Sequence, residues 1–191
     1  MNALRILSDE HQALAGVLHA IRFMLKKVAA GTLEPDRALF QAMVHYLDAY
    51  AEQRHHPKED RLFAVLKTRT DDGAAALATL AAEHAAGPER IATLRRALAD
   101  FTADPRTLGA FTAAFERYAD FYRTHMMLEE DTVLPLAHHA LTPADWAEVD
   151  AFFAEAAADK GGEDFTALFD RLVECAPEPI GLGARPYAAT R

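Results

Sequence analysis

A histidine followed four residues later by a glutamate, in a segment that otherwise predicts helix, constrains this chain more than any other feature. His55 and Glu59 form this pair. Because an α-helix turns about 100° and rises about 1.5 Å per residue, positions i and i+4 lie on one face, roughly 6 Å apart. An imidazole nitrogen and a carboxylate oxygen on one face can hold a metal ion, and a carboxylate can bridge two. A lone pair also occurs on solvated helix faces, so this step by itself indicates a metal site only weakly.

The same step occurs a second time, and this repeat strengthens the signal. His125 and Glu129 are again four residues apart. Each pair follows, at a similar interval, a helical stretch that carries a single Glu-His dipeptide, which ends at His11 before the first pair and at His84 before the second. Two such helical hairpins packed face to face would bring four histidines and two glutamates to one layer of a four-helix bundle. This is a ligand set for a pair of iron ions.

Composition and periodicity predict an all-α protein. Hydrophobic residues make up 51% of the 191 residues, alanine is abundant, and no stretch shows the alternation of a strand. We expect an antiparallel, up-down four-helix bundle with short C-terminal helices packed outside it. The helices are expected at 4–30, 36–67, 72–100, 105–140, 143–157 and 163–175. The predicted organisation is a four-helix bundle at 1–140, a helical extension at 141–176 and an extended tail at 177–191.

Charge and cysteine content exclude several classes of partner and chemistry. A net charge of −9 argues against nucleic acid or an anionic membrane as a main partner. The single cysteine excludes an internal disulfide, and no apolar run reaches the roughly 20 residues of a membrane-spanning helix. The N-terminus lacks the apolar block of a signal peptide. We therefore expect a cytoplasmic protein, and a homodimer is left open.

Two ligand assignments remain open at the level of the sequence. His56 lies three residues before Glu59, so helix geometry alone does not exclude it in place of His55. Glu130 is likewise adjacent to Glu129. We choose His55 and Glu129 because the two pairs then share one four-residue step. His56 can instead orient the site as an outer hydrogen-bonding group, and Pro57 is expected to kink the helix beside it.

Three further residues near the motifs have both a structural and a functional interpretation. Gly87 lies three residues after His84 and contributes no side chain, so it leaves open volume beside the metals or allows close helix packing. Tyr118 and Tyr122 precede His125 on its face, where they either line the metal pocket or belong to the ordinary core.

The series of motifs resembles a hemerythrin-like (HHE cation-binding) domain over about residues 4–140. The resemblance rests on His11, then His55-His56-Pro57-Lys58-Glu59, then Glu83-His84, then His125 to Glu130, in that order. It implies an antiparallel four-helix bundle with two non-haem iron ions, joined by an oxo or hydroxo bridge. By motif match, the terminal ligands would be His11, His55, His84 and His125, and the bridging ligands Glu59 and Glu129.

The chain departs from the oxygen-carrying members of that family. Those proteins have two histidines four residues apart on the third helix, whereas Leu80 precedes His84 by four here. Their fourth-helix carboxylate is an aspartate five residues after the histidine, whereas Glu130 stands there and Glu129 comes one residue earlier. One fewer histidine leaves a coordination position for water, peroxide, O₂ or NO, and it weakens the case for a dedicated O₂ carrier.

Three hypotheses for function follow. The first is a di-iron protein that binds O₂ or a related diatomic such as NO, for sensing, storage or delivery. The second is a di-iron enzyme acting on peroxide or NO, or an iron donor for iron–sulfur cluster repair. The third is a metal reservoir or a purely structural bundle. No nucleophile–base constellation or phosphate loop is present, so the catalytic residues are unknown, and any catalysis would belong to the metal.

Overall fold

A computed structural model describes residues 2–158, 164–183 and 186–187 of the chain. These residues are overwhelmingly helical and contain no strand, which confirms the predicted all-α class. None of the helices in these ranges is long and apolar enough to cross a membrane. The remaining residues of the predicted tail, and residue 163 of the last predicted helix, lie outside the described ranges.

The first predicted helix is present as α1, Asn2–Ala29. Its apolar positions Leu7, Leu14, Val17 and Ile21 are buried. Lys26 and Lys27 lie in the last turn, where their positive charges interact favourably with the negative end of the helix dipole. Two residues after the end of α1, Gly31 has a φ of 68°, a left-handed backbone conformation that glycine adopts without strain.

The second predicted helix is one continuous helical path with a change of hydrogen-bonding pattern in the middle. It consists of α2 (Arg37–Tyr46), a π-helical segment (Leu47–His55) and α3 (His56–Leu66). Asp36 caps its start by accepting a hydrogen bond of 2.9 Å from the backbone N–H of Leu39.

The third and fourth predicted helices are also present, with similar bounds. Helix α4 is Ala74–Ala103 and includes Pro88 without ending there. The fourth path begins with a short 3₁₀ turn, Pro105–Thr107, and continues through α5 (Leu108–Leu128), a second π-helical segment (Glu129–Val133) and α6 (Leu134–Ala140).

Two C-terminal helices follow, α7 (Pro143–Ala158) and α8 (Phe165–Cys175). Helix α7 caps the start of α1, because Asp150 accepts hydrogen bonds from the backbone N–H groups of Ala3 at 2.8 Å and Asn2 at 3.2 Å. It is also tied to the end of the second path by the paired hydrogen bonds of Arg69 to Asp145.

The core consists of two apolar clusters with a polar layer between them. One cluster contains Leu14, Ile21, Phe111 and residues of α8, and the other contains Leu7, Leu62, Leu80 and residues of α7. His11 lies between Leu7 and Leu14 on the buried face of α1, and so falls in the gap between the clusters. This placement buries a layer of polar side chains that ordinary core packing would not tolerate without partners.

The C-terminal tail can be tested separately from this layer. Ala176 is buried, Ile180 packs against the first cluster, and the backbone N–H of Tyr187 donates to Asp36 at 2.8 Å. Deleting residues 176–191 should therefore lower the free energy of unfolding by about 1–3 kcal/mol through lost apolar burial. Metal content, measured by elemental analysis of the folded variant, should stay unchanged. A folded truncation that no longer holds metal would contradict this prediction.

Candidate metal centre

Both π-helical segments lie directly beside residues of the polar layer. The first ends at His55 and the second begins at Glu129. At the end of each, a backbone N–H bonds to the carbonyl five residues back: His56 to Ala51 and Leu134 to Glu129. Short π-helical insertions frequently occur at functional sites.

A proline follows each π segment by two residues, namely Pro57 and Pro135. Proline cannot donate the usual bond to the carbonyl four residues back, and its ring clashes with that carbonyl. The widened π turn removes this conflict, so the helix continues instead of breaking. Where a kink at Pro57 was expected, the structure shows a change of hydrogen-bond register immediately before the proline.

The first group of candidate ligands consists of His11, His55 and Glu59, whose donor atoms all lie within 4.8 Å of one another. Nε2 of His11 is 3.1 Å from Oε1 of Glu59, and Nε2 of His55 is 3.0 Å from the same oxygen. All three side chains are buried. Two imidazole nitrogens and one carboxylate oxygen therefore converge on one point.

The second group shares Glu59 with the first and adds His56, His84 and His125, again within 4.8 Å of one another. Nε2 of His84 lies 3.5 Å from Oε2 of Glu59 and 3.3 Å from Nε2 of His125. Since its two oxygens face different histidines, Glu59 has the position of a bridge between two ions.

Glu129, on the fourth helical path, also contacts histidines of both groups. Its Oε2 lies 3.4 Å from Nε2 of His11, and its Oε1 lies 3.3 Å from Nε2 of His125 and 4.0 Å from Nε2 of His84. Its side chain is fully buried, whereas Glu130 is half exposed. Glu129 is therefore the one of the two glutamates that the structure places at the centre.

The unsatisfied hydrogen-bonding capacity of the layer fits a metal centre. Four of its buried atoms have no hydrogen-bond partner: Nε2 of His55, Oε2 of Glu59, and both carboxylate oxygens of Glu129. Buried polar atoms without partners are costly, so several at one point require an explanation. Imidazole nitrogens and carboxylate oxygens aimed at a common point are the donors that divalent transition metals take.

In four of the histidines, the Nδ1 nitrogen is hydrogen-bonded to a carboxylate from another helix. In every case Nδ1–H donates to the acid, at 2.8–3.0 Å, while Nε2 faces the centre. The four pairs are His55 with Glu10, His84 with Asp60, His125 with Glu83, and His11 with Glu130. Such partners fix the tautomer and orientation of metal-binding imidazoles.

These pairs form a closed ring around the layer. The acid on α1 supports the histidine on the second path, the acid there supports the histidine on α4, the acid on α4 supports that on α5, and the acid after α5 supports that on α1. Glu10 and Glu83 each stand directly before a histidine in the sequence. Each of them holds a histidine on the next helix rather than the histidine beside it in sequence.

One sequence signal could have shown the full set. Each of the four paths carries a dipeptide of which one residue faces the centre and the other supports a ligand elsewhere. These dipeptides are Glu10-His11, Glu59-Asp60, Glu83-His84 and Glu129-Glu130. The pairing of an inner and an outer group in adjacent positions was missed because adjacent residues point about 100° apart on a helix.

His56 differs from the other four histidines in the partners of its ring nitrogens, which are Glu52 and Tyr122 rather than the central glutamates or the acids named above. Its Nδ1 is 3.3 Å from Oε2 of Glu52, and its Nε2 is 2.9 Å from the hydroxyl of Tyr122. Its ring stacks on that of His84 with centroids 4.1 Å apart. The structure thus places His55 in the first group and His56 in the second, so the choice between them is not exclusive.

The space beside Gly87 is filled by a side chain that the sequence analysis did not consider. A Cβ built on Gly87 would lie 2.1 Å from Oε2 of Glu52, whose side chain is buried and also meets the hydroxyl of Tyr118 at 3.4 Å. The glycine therefore makes room for the carboxylate that supports His56, and the volume is not open to a small ligand.

This fit predicts that Gly87→Ala destabilises the protein. Alanine normally stabilises a helix interior by about 0.5–1 kcal/mol relative to glycine. Here it would displace Glu52 and cost about 1–3 kcal/mol, measured by urea unfolding of the metal-free protein. Combining it with Glu52→Ala should recover most of the loss. Gly16→Ala is the matched control, because nothing lies within 4 Å of its Cβ. Equal gains at Gly16 and Gly87 would contradict the proposed fit.

The layer is strongly coupled electrostatically. Burial alone would lower the pKa of His11, but the neighbouring carboxylates of Glu129 and Glu59 raise it to about 10. Burial would likewise lower the pKa of His84, but the hydrogen bonds and charges of Asp60 and Glu59 raise it to about 10. Burial and the charge of Glu59 raise the pKa of Glu129. Ions that bind here must displace these protons, so binding would release protons.

The six predicted ligands all lie in this layer: His11, His55, Glu59, His84, His125 and Glu129. Their coordination of metal stays a prediction. His139 is exposed on α6 and joins neither group. Tyr122 touches His56 and Tyr118 touches Glu52, so both tyrosines contact the layer and also belong to the apolar core.

The helical fold and the two histidine–glutamate groups define a protein of the metal-binding class. A family model of the hemerythrin HHE cation binding domain matches residues 2–137. The chain belongs to this family, as the motifs predicted. Comparison with curated proteins and with solved structures gives no match. Helices α7 and α8 lie beyond the matched range.

Proposed function

We propose that this chain is a di-iron protein that binds O₂ or a related small diatomic such as NO. The observation that supports it most directly is the sharing of Glu59 by two groups of histidines, with Glu129 spanning the same groups. Two bridging carboxylates with terminal imidazoles form the ligand pattern of carboxylate-bridged iron pairs in helical bundles. The four helical paths would form the antiparallel bundle that presents them.

In this proposal each ion takes donors from three helical paths, and the two ions together use all four. His11 and His55 with Oε1 of Glu59 and Oε2 of Glu129 would hold one ion. His84 and His125, with His56 close by and the remaining carboxylate oxygens, would hold the other. When bound, the two ions would supply redox chemistry for a small ligand at a position that the protein leaves open.

The two groups are unequal, and this favours one side for the small ligand. The first group has two histidines, whereas the second has two and a third beside them. Fewer protein donors at the first group leave more room there. The surrounding residues would exclude bulk water, since the central side chains are buried between two apolar clusters.

One observation favours a second candidate, a di-iron enzyme acting on peroxide or NO. The hydroxyl of Tyr122 is fully buried and lies 2.9 Å from Nε2 of His56. Burial raises the pKa of Tyr122 well above its usual value, so the phenol keeps its proton. Reduction of peroxide or NO consumes protons, and a chain from Glu52 through His56 to Tyr122 could carry them to the second group.

Anaerobic loading with ferrous iron followed by exposure to O₂ tests the proposal. A binding or sensing protein should develop a visible absorption band that disappears again when O₂ is removed. Rapid, repeated consumption of peroxide or NO would instead support the enzyme, and Tyr122→Phe should then slow turnover without changing iron content. A chain that takes up two iron ions and shows neither response would contradict both candidates.

A further inference from the structure

A cavity of about 410 Å³ lies between α1, the second helical path and α8, outside the metal layer. This volume is within the range of small-molecule sites in proteins. The residues that line it include the aromatic residues Tyr46, Tyr50, Phe165 and Phe169, and the acidic residues Asp9 and Glu10. Because α8 supplies one wall, the cavity depends on a helix beyond the family-matched range.

The aromatic rings of the cavity form one contiguous group. Tyr46 and Tyr50 stack with centroids 5.0 Å apart, Phe165 lies 5.3 Å from Tyr50, and Phe169 lies 5.8 Å from Tyr46. Aromatic faces carry partial negative charge and attract cations held within about 6 Å. The ammonium of Lys58 already lies 5.8 Å from the Tyr50 ring centroid.

The charged residues described in the cavity wall are acidic. Asp9 and Glu10 contribute to the lining, and none of the other lining residues that the structure describes is a lysine, arginine or histidine. Glu10 is buried, and its carboxylate is hydrogen-bonded to His55 and paired with Lys58, which stabilise its negative charge. Asp9, at the exposed side, pairs with Arg5 at 2.9 Å. An occupant that is apolar over most of its surface and positively charged at one end would complement this wall.

We propose that this cavity binds a small organic cation, an ammonium group attached to an aromatic or alkyl body. The ammonium would face the carboxylates of Asp9 and Glu10, and the apolar body would lie among the four rings. This site is separate from the proposed iron centre. The two are connected through Glu10, whose Oε2 accepts the Nδ1–H of His55 at 2.8 Å. An occupant that contacts Glu10 therefore acts on the group that orients a predicted ligand.

Titration of the full-length, metal-free chain with 2-phenylethylammonium, followed by calorimetry, tests this site. The neutral analogue 2-phenylethanol has a similar body without the charge. We expect saturable binding of the ammonium and roughly tenfold weaker binding of the alcohol, as a desolvated cation–aromatic contact predicts. Asp9→Asn should weaken ammonium binding and leave the alcohol unaffected.

Two cavity-filling variants establish where the probe binds. Ala13→Phe fills the cavity from α1 and Thr166→Phe from α8, since both positions line it. Each should abolish binding, whereas Ala113→Phe, at an exposed position on α5, should not. If one filling variant fails to fold, the other still gives the answer. Transfer of magnetisation from the probe to the tyrosine rings provides a second, structural readout.

Three results would overturn the proposal: no saturable binding of the ammonium, equal binding of the alcohol, or binding that persists in a folded cavity-filling variant. Because the titration uses metal-free protein, its failure would not affect the iron proposal. With iron loaded, the ammonium should also shift the absorption spectrum of the centre through Glu10 and His55. Ala13→Phe or Thr166→Phe should remove that shift without removing the iron.

Discussion

Replacing Glu59 with alanine is expected to remove both ions at once. Glu59 is the carboxylate that both groups of histidines share, so its loss takes a donor oxygen from each. Iron content, measured by elemental analysis after anaerobic loading, should fall from two ions per chain to nearly none. The metal-free variant should also lose about 3 kcal/mol of unfolding free energy, because its histidines lose the buried carboxylate that both groups share.

Three variants control for this effect. Glu59→Gln keeps the size of the side chain but not the charge, and should lose iron in the same way. His45→Ala and His139→Ala remove exposed histidines outside the layer and should leave iron content unchanged. Full iron occupancy in Glu59→Ala would overturn the two-ion proposal itself.

Loading the protein with iron should raise its melting temperature by roughly 10–20 °C. An ion at about 100 times its dissociation constant stabilises the folded state by about 2.7 kcal/mol, and two ions by about twice that. For a chain of this size each 1 kcal/mol shifts the midpoint by about 2–4 °C. The physical basis is the set of buried atoms at the centre that have no partner within the protein, among them Oε2 of Glu59 and both oxygens of Glu129.

Differential scanning calorimetry of metal-free and loaded samples measures this shift, and a chelator should reverse it. Glu59→Ala is the matched control and should show almost no response to iron. A similar shift in that variant would mean that iron stabilises the protein at some other place. The absence of any shift in the unmodified chain would contradict a preformed site.

Much of the fold and of the candidate metal centre could be predicted from sequence because both follow from the roughly 3.6-residue period of the α-helix. The apolar stripe of α1 and the four-residue step from His55 to Glu59 depend only on the regular turn of a helix. The same step from His125 to Glu129 placed the second pair. Since these patterns are local, the sequence gives them without knowledge of how the helices pack.

The parts that could not be predicted depend on departures from that period or on contacts between helices. The π-helical segments before Pro57 and Pro135 change the rotation between neighbouring residues, and this change brings both His55 and His56 to the layer. No periodic pattern signals such a segment, and the prolines alone indicated only a kink.

Contacts between helices account for the remaining omissions. Glu52 fills the space that Gly87 leaves, yet the two residues lie on different helical paths and 35 positions apart. The outer acids likewise support histidines on the next helix, not those beside them in sequence. A single sequence shows which helix face a residue occupies, but not which residue of another helix it will meet.

The closed ring of histidine–acid pairs has a consequence for how quickly the protein could take up metal. Every helical path in the ring both gives an acid to one neighbour and receives one from another. No path can slide along its axis or separate without breaking two of these links, so the middle of the molecule should open as one cooperative unit while the ends fray independently. The imidazoles are thus aimed before any ion arrives. Uptake would require loss of protons and water but little movement of the chain, and its rate should follow the ion's own dehydration rather than the folding of the protein around it.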